Sequence, residues 1–387
     1  MNNISTAIKN GGTAKFAEAA ALEGSFRNPS GCAISGIFSK TGKLMSGESI
    51  IQSIEIMHER SNGLGGGFAA YGIYPEHKSK YALHIFHNDI SAKIETEKYL
   101  EETFEISASS TIPTQAVPGI DQGPLIWRYF ATPRRDKLRG SQQDEREFTA
   151  RAVFHINQGI DGSFVFSSGK NMGVFKAVGY PEDVGRFYRL SDYEGYCFTA
   201  HGRYPTNTPG WWGGAHPFSL LDTTVVHNGE ISSYDANRRS IEMYGYPCTL
   251  QTDTEVIAYI IDYLSRRRGL TFEEICRVTA APFWSEIAKM PEDERKEYEF
   301  LRTVFSPYLI TGPFSILVGF TGGMMALNDR LKLRSMVAAE KGDLLYCSSE
   351  ESAIRLIEPD LDRVWAPSGG ECVIARLEKD AYKRIYG

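Results

Sequence analysis

Asn28-Pro29-Ser30-Gly31-Cys32-Ala33-Ile34-Ser35-Gly36-Ile37-Phe38 decides how the rest of this chain is read. From Cys32 to Ser39 the residues are small and apolar, which is the pattern of a strand buried on both faces. Lys40-Thr41-Gly42-Lys43 supplies the turn that ends it. A thiol at the mouth of a buried strand is a candidate nucleophile, and one that uses its own α-amine as base has to stand at the chain's N-terminus. Residues 1–31 precede it. Either they are removed or the catalytic reading fails.

Outward from that strand, Glu48 to Arg60 carries Ile50, Ile51, Ile54 and Met57 at helical spacing, an amphipathic helix with one buried face. Gly63-Leu64-Gly65-Gly66-Gly67 follows, then a strand from Phe68 to Tyr74. The glycine cluster leads into a strand and lacks the G-x-G-x-x-G spacing, and Gly169-Lys170-Asn171 lacks the Ser or Thr of a phosphate loop, so neither marks a nucleotide site. Residues 95–150 read as a peripheral insertion with an exposed loop. From 152 onward aromatic and β-branched runs return. Thr252 to Leu264 is a second well-patterned helix, closed by Gly269. Arg266-Arg267-Arg268 reads as its solvated C-terminal turn. Residues 271–310 look helical, and Phe314–Leu327, Leu344–Cys347 and Cys372–Leu377 look like strands. Strand clusters with a few long helices make an α+β, layered-sheet protein.

The 387 residues can bury a sizeable core, and 42% hydrophobic with 23% charged residues is ordinary for a soluble protein. A net charge of −6 advertises no nucleic-acid surface. The six cysteines (32, 197, 248, 276, 347 and 372) form no C-x-x-C pair, which argues against a zinc ribbon or a disulfide scaffold and fits a reducing cytoplasm. No segment approaches a membrane span. Lys15, Glu18 and Glu23 interrupt the Ala-rich start, so it is not a secretory signal.

The densest chemistry lies in residues 199–255. It comprises Thr199-Ala200-His201-Gly202-Arg203-Tyr204-Pro205-Thr206-Asn207-Thr208, Gly214-Ala215-His216-Pro217-Phe218, Val225-Val226-His227-Asn228-Gly229-Glu230-Ile231 and Thr252-Asp253-Thr254-Glu255. With the Cys32 run, these five motifs in order resemble the class II glutamine amidotransferases, N-terminal-nucleophile enzymes that hydrolyse glutamine to release ammonia. The order of motifs, with Gly312-Pro313-Phe314-Ser315, Asn328-Asp329-Arg330 and Ser348-Ser349-Glu350-Glu351 downstream, looks most like the amidotransferase domain of glutamate synthase. The resemblance implies a four-layer αββα sandwich of two antiparallel sheets, with Cys32 opening a central strand. It implies a domain over 32–387, a leader or propeptide over 1–31, and no cofactor in this chain. Flavin and iron–sulfur groups are expected on a glutamate-synthase-like partner subunit that receives the ammonia.

Each residue can be weighed on its chemistry. The Cys32 thiolate would attack the glutamine side-chain carbonyl and form a thioester. Once Cys32 is N-terminal its α-amine, titrating at about 7.7–8.0, can act as the base. Arg203 can hold the substrate α-carboxylate bidentately, a role Lys imitates poorly. Its alternative is a surface ion pair. Asn228 and Gly229 would form an oxyanion hole from a side-chain amide and a backbone N–H. The same dipeptide is also a signal for a two-residue hairpin turn. Asp253 would bind the α-ammonium by resemblance, and otherwise reads as a helix N-cap. Thr206 and Gly65-Gly66-Gly67 would line the pocket by analogy. His201 and His216 read as structural. Ala33 stands where the family has Gly. Other readings remain open: a non-catalytic glutamine-binding regulatory subunit, or another N-terminal-nucleophile amide hydrolase.

Overall fold

In the computed structural model, which describes residues 31–121, 123–204 and 210–387, Cys32 stands directly before strand β1 (Ala33–Ser39), buried throughout. The strands that follow are β2 (Met45–Ser46), β3 (Gly66–Tyr71), β4 (Tyr81–His87), β5 (Phe104–Thr111), β6 (Leu125–Pro133), β7 (Ser163–Ser167) and β8 (Met172–Ala177). Then come β9 (Glu194–Gly195), β10 (Cys197–Gly202), β11 (Phe218–Leu220), β12 (Thr223–Gly229), β13 (Phe314–Phe320) and β14 (Gly323–Asn328). The last are β15 (Val337–Lys341), β16 (Leu344–Ser348), β17 (Arg363–Trp365) and β18 (Cys372–Arg376).

Two antiparallel sheets form the centre. One has seven strands in the order β17-β15-β16-β1-β10-β3-β8, the other five in the order β11-β12-β13-β14-β18. They meet where β1 and β10 pack on β12 and β13. A Cβ added at Gly36 would stand 2.9 Å from Met324 Sδ and 3.0 Å from Leu317 Cδ1, so this glycine lets the facing sheet come close. The outer face of the larger sheet is covered by the helices Glu48–Glu55, Pro181–Phe187 and Glu351–Arg355, and that of the smaller by Asp253–Asp262. The order helix, sheet, sheet, helix is the expected sandwich.

Strand alternation sorts the side chains between layers. Val226, Leu317, Met324 and Ala326 belong to the hydrophobic cluster between the sheets. Val225, Ile316, Val318 and Leu327 belong to the cluster under the Asp253–Asp262 helix.

Three expectations need correction. Residues 95–150 keep an exposed stretch over 113–121, but they carry more regular structure than the sequence reading gave them: the end of the helix Ile90–Thr103, strands β5 and β6, the helix Arg135–Ser141 and the start of the helix Glu145–Gly159. β5 and β6 join β4 and β7 in a four-stranded sheet, order β5-β6-β4-β7. Its strands β4 and β7 touch β8 and β11, one edge strand from each central sheet. Tyr129, Phe130 and Ala131 of β6 are buried there. The run Arg266-Arg267-Arg268 is exposed only at Arg268. Arg266 and Arg267 end a π-helical turn over Tyr263–Arg267, in which the Arg266 side chain is 6% exposed and paired to Asp262 at 2.7 Å and Glu147 at 2.6 Å. The helix read as Glu48 to Arg60 stops at Glu55, and His58–Arg60 forms a separate 3-10 turn.

Candidate active site

The register of β1 against β10 builds the centre of the site. Ala33 pairs with Gly202, so the residues one step beyond, Cys32 and Arg203, emerge side by side at the same end of the sheet. Ala33 faces a glycine across the ladder, which leaves room for its extra methyl. The Tyr204 backbone N–H donates to Cys32 Sγ at 3.3 Å. Arg60 donates from Nε and Nη2 to the Cys32 carbonyl oxygen at 3.3 and 3.2 Å, and from Nη1 to Glu350 at 2.9 Å. Burial pushes the Cys32 thiol up from its ordinary value; the Tyr204 amide and the Arg203 charge pull the other way without cancelling it.

Arg203 is buried, with its N–H bonded to the Gly65 carbonyl at 2.9 Å. A Cβ at Gly65 would lie 3.2 Å from Arg203 Cδ. The glycine cluster therefore lets Arg203 pack close, rather than lining the pocket itself. Burial lowers the guanidinium from its ordinary value, opposed by Cys32 and Asp253, and an arginine stays charged there.

Asn228 and Gly229 do not form a hairpin turn. They are the last two residues of β12, opposite Ser315 and Phe314 of β13. Alternation aims Asn228, like Val226, between the sheets, where its Nδ2 donates to Ser349 Oγ at 3.3 Å. Ser349 Oγ also accepts from the Ile34 N–H at 3.1 Å, tying the amide to the strand that carries the nucleophile. The Asn228 Oδ1 has no hydrogen-bond partner among the described residues. Gly229 has φ +145, and a Cβ there would fall 2.0 Å from the Pro313 carbonyl oxygen. Only glycine fits.

Opposite parity turns His227 toward the Asp253–Asp262 helix, where its Nδ1 lies 3.1 Å from Thr254 Oγ1 and 3.4 Å from Asp253 Oδ1. Asp253 is the first residue of that helix; the cap is Thr252. Its Oδ2 accepts from the Ile231 N–H at 3.2 Å and its Oδ1 from Thr254 at 3.2 Å. Burial alone would raise the Asp253 carboxyl, but His227, Ile231 and Thr254 outweigh it and hold the group below its ordinary value. It is an anion at neutral pH.

Cys32, Arg203, Gly229 and Asp253 line one cavity of about 320 Å³, together with Tyr204, His216, His227, Glu230 and Tyr234. A nucleophile, a cation and an anion thus converge on a space of small-molecule size. Asn228 is not among the residues that line it; its side chain lies against Ser349. Thr206 lies outside the described residues. His201 and His216 are buried and stacked at 3.8 Å, and His201 Nε2 bonds the His227 carbonyl at 2.9 Å, a supporting arrangement. Arg60 and Ser349, the latter quoted only within Ser348-Ser349-Glu350-Glu351, were given no role from the sequence, and neither was His227. The first two reach the site across 28 and 315 residues, and no local pattern reports such separations. Among the described residues no group of three or more His, Cys, Asp or Glu side chains could hold a metal ion, and no helix is long and apolar enough to cross a membrane.

A cysteine opening a central strand of a two-sheet sandwich, with Arg203 and Asp253 lining the same cavity, is the arrangement that the sequence resemblance implied. The chain belongs to the class II glutamine amidotransferases, whose family model matches residues 87–380. That match takes in Arg203, Asn228, Gly229 and Asp253 and begins downstream of Cys32. An uncharacterized protein of Archaeoglobus fulgidus is 48% identical over 92% of this chain and 95% of its own length. The glutamine amidotransferase-like protein GlxB of Rhizobium meliloti is 24% identical over 87% of this chain and 95% of its own. Among solved structures, the glutamine phosphoribosylpyrophosphate amidotransferase of B. subtilis aligns over 89% of this chain and 47% of its own, at 13% identity and a TM-score of 0.45.

Proposed function

We propose that this chain is the glutaminase component of an ammonia-transferring enzyme: it hydrolyses L-glutamine to glutamate and ammonia through a Cys32 thioester. The observation that carries the reading is the shared cavity of Cys32, Arg203, Gly229 and Asp253. Arg203 takes the α-carboxylate and Asp253 the α-ammonium, which selects a free amino acid over a glutamine within a peptide. With both ends of the substrate held, the side-chain carbonyl reaches Cys32, and the Asn228 amide with the Gly229 N–H receives the developing oxyanion. Maturation by cleavage between Gly31 and Cys32 belongs to this proposal, since a peptide nitrogen on Cys32 is no base. So does the acceptor, a glutamate-synthase-like subunit carrying flavin and iron–sulfur groups, on which full activity depends.

The test is ammonia release from glutamine by the matured protein and by its Cys32→Ala variant. Loss of hydrolysis with glutamine still bound, seen by calorimetry, is the expected result. Substantial hydrolysis by the variant would sink the thioester mechanism.

A further inference from the structure

Away from the site, the helix Phe272–Thr279 is seated on the five-stranded sheet by one face, and that face ends in a pair of thiols. Phe272 stacks on Phe320 of β13 with ring centroids 3.7 Å apart. Glu273 forms a two-pronged ion pair with Arg376 of β18, at 2.6 and 2.7 Å. One turn on, Cys276 Sγ lies 2.9 Å from Cys372 Sγ of β18 and 3.2 Å from Met325 Sδ of β14. Residues 372 and 376 share one face of their strand, as 273 and 276 share one face of their helix. The Glu273–Arg376 clamp therefore sets the register that brings the sulfurs together.

We infer that Cys276 and Cys372 are a built-in cross-linking site, which an external disulfide of the low-molecular-weight thiol class oxidises to an intramolecular disulfide joining helix to edge strand. A disulfide needs the sulfurs at about 2.05 Å, a short closure from their present contact. A shared soft metal with metal–sulfur bonds of about 2.3 Å would instead have to spread them to about 3.8 Å. β18 is an edge strand and Cys372 is half-buried, whereas Cys276 is 1% exposed, so Cys372 meets the oxidant. The Cys372 thiolate attacks one sulfur of the external disulfide and releases one thiolate, which takes up a proton. Cys276 then gives up its proton and attacks the Cys372 sulfur of the mixed disulfide, releasing the second. Two protein S–H bonds and one external S–S bond are lost; one protein S–S bond and two external thiols are gained. The closed loop spans a sequence separation of 96 residues, including β13 and β14 of the sheet that holds Asn228.

The experiment treats the full protein with oxidised glutathione, then titrates thiols after denaturation and maps peptides without reduction. The expected result is two thiols fewer than the six of the sequence and a linked pair of peptides containing Cys276 and Cys372. The thermal midpoint should rise by about 5–10 °C over the dithiothreitol-treated protein. Cys372→Ser, at the half-buried position, should show no such rise. Six titratable thiols after oxidation, or a link that maps to Cys32 or Cys248, would overturn the assignment. So would recovery of all six thiols with a bound soft metal.

Discussion

Tyr204 donates its backbone N–H to the Sγ of Cys32 across 3.3 Å. It favours a thiolate, but burial outweighs it and keeps the sulfur protonated at neutral pH. Hydrolysis therefore needs a base at hand. If that base is the Cys32 α-amine, kcat/KM for glutamine should rise with pH along a single limb centred at about 7.7–8.0, as the amine loses its proton. The comparison is initial rates from about pH 6 to 9 for protein beginning at Cys32 and for protein retaining Gly31. Equal rates for the two would remove the amine from the mechanism.

Asn228 is fixed from behind. Its amide reaches Ser349, whose hydroxyl accepts from the Ile34 N–H, so under the proposed function the oxyanion donor is positioned before substrate arrives. Asn228→Ala should lower kcat by about 10²–10³ with little change in KM, because the bond strengthens only as the oxyanion forms. Ser349→Ala leaves the donor present but less constrained, and a smaller kcat loss of roughly tenfold is expected. Steady-state kinetics on the two variants distinguish them. A rise in KM with kcat unchanged would place Asn228 in ground-state binding instead.

Gly229 is demanded by geometry. With φ +145 and the Pro313 carbonyl oxygen 2.0 Å from where a Cβ would stand, Gly229→Ala has to move the β12–β13 ladder end. The cost should be about 3 kcal/mol or more, and glutamine hydrolysis should fall with it. Chemical denaturation of variant and parent measures the first. An unchanged midpoint would show that this corner yields without strain.

Much of this was legible before the fold was known, and the failures share a cause. The β1 run and the Thr252–Leu264 periodicity announced themselves because burial on both faces, or on one helical stripe, leaves a local pattern. Asn228-Gly229 carried a local turn signal, and it misled. The β12–β13 ladder overrides the turn preference, and Gly229 is there for its positive φ and the nearness of Pro313. Residues 95–150 looked peripheral because β5 is polar and, beyond Phe104, half-buried or exposed. Their packing against β4 depends on register between distant segments. The contacts of Arg60 and Ser349 were unreadable for the same reason.

Glu147 shows what this segment does for stability. It lies on the Glu145–Gly159 helix and receives Arg266 at 2.6 Å, Arg267 at 2.7 Å and Arg151 at 2.8 Å. Partial burial alone would raise its carboxyl. Hydrogen bonds from Arg266 and Arg151, with the Arg266 and Arg267 charges, win and bring it down to about 2 from an ordinary 4.5. A carboxylate depressed in the folded state binds fewer protons there than in the unfolded chain, so its contribution is complete above the unfolded value. It is lost as pH falls from about 4.5 toward about 2. Glu147→Gln should therefore destabilise the protein at pH 6, and the gap between variant and parent should close as the pH is lowered through that window. Urea unfolding of both proteins at several pH values reads it directly. A gap that stays constant with pH would mean that Glu147 contributes by packing rather than by charge.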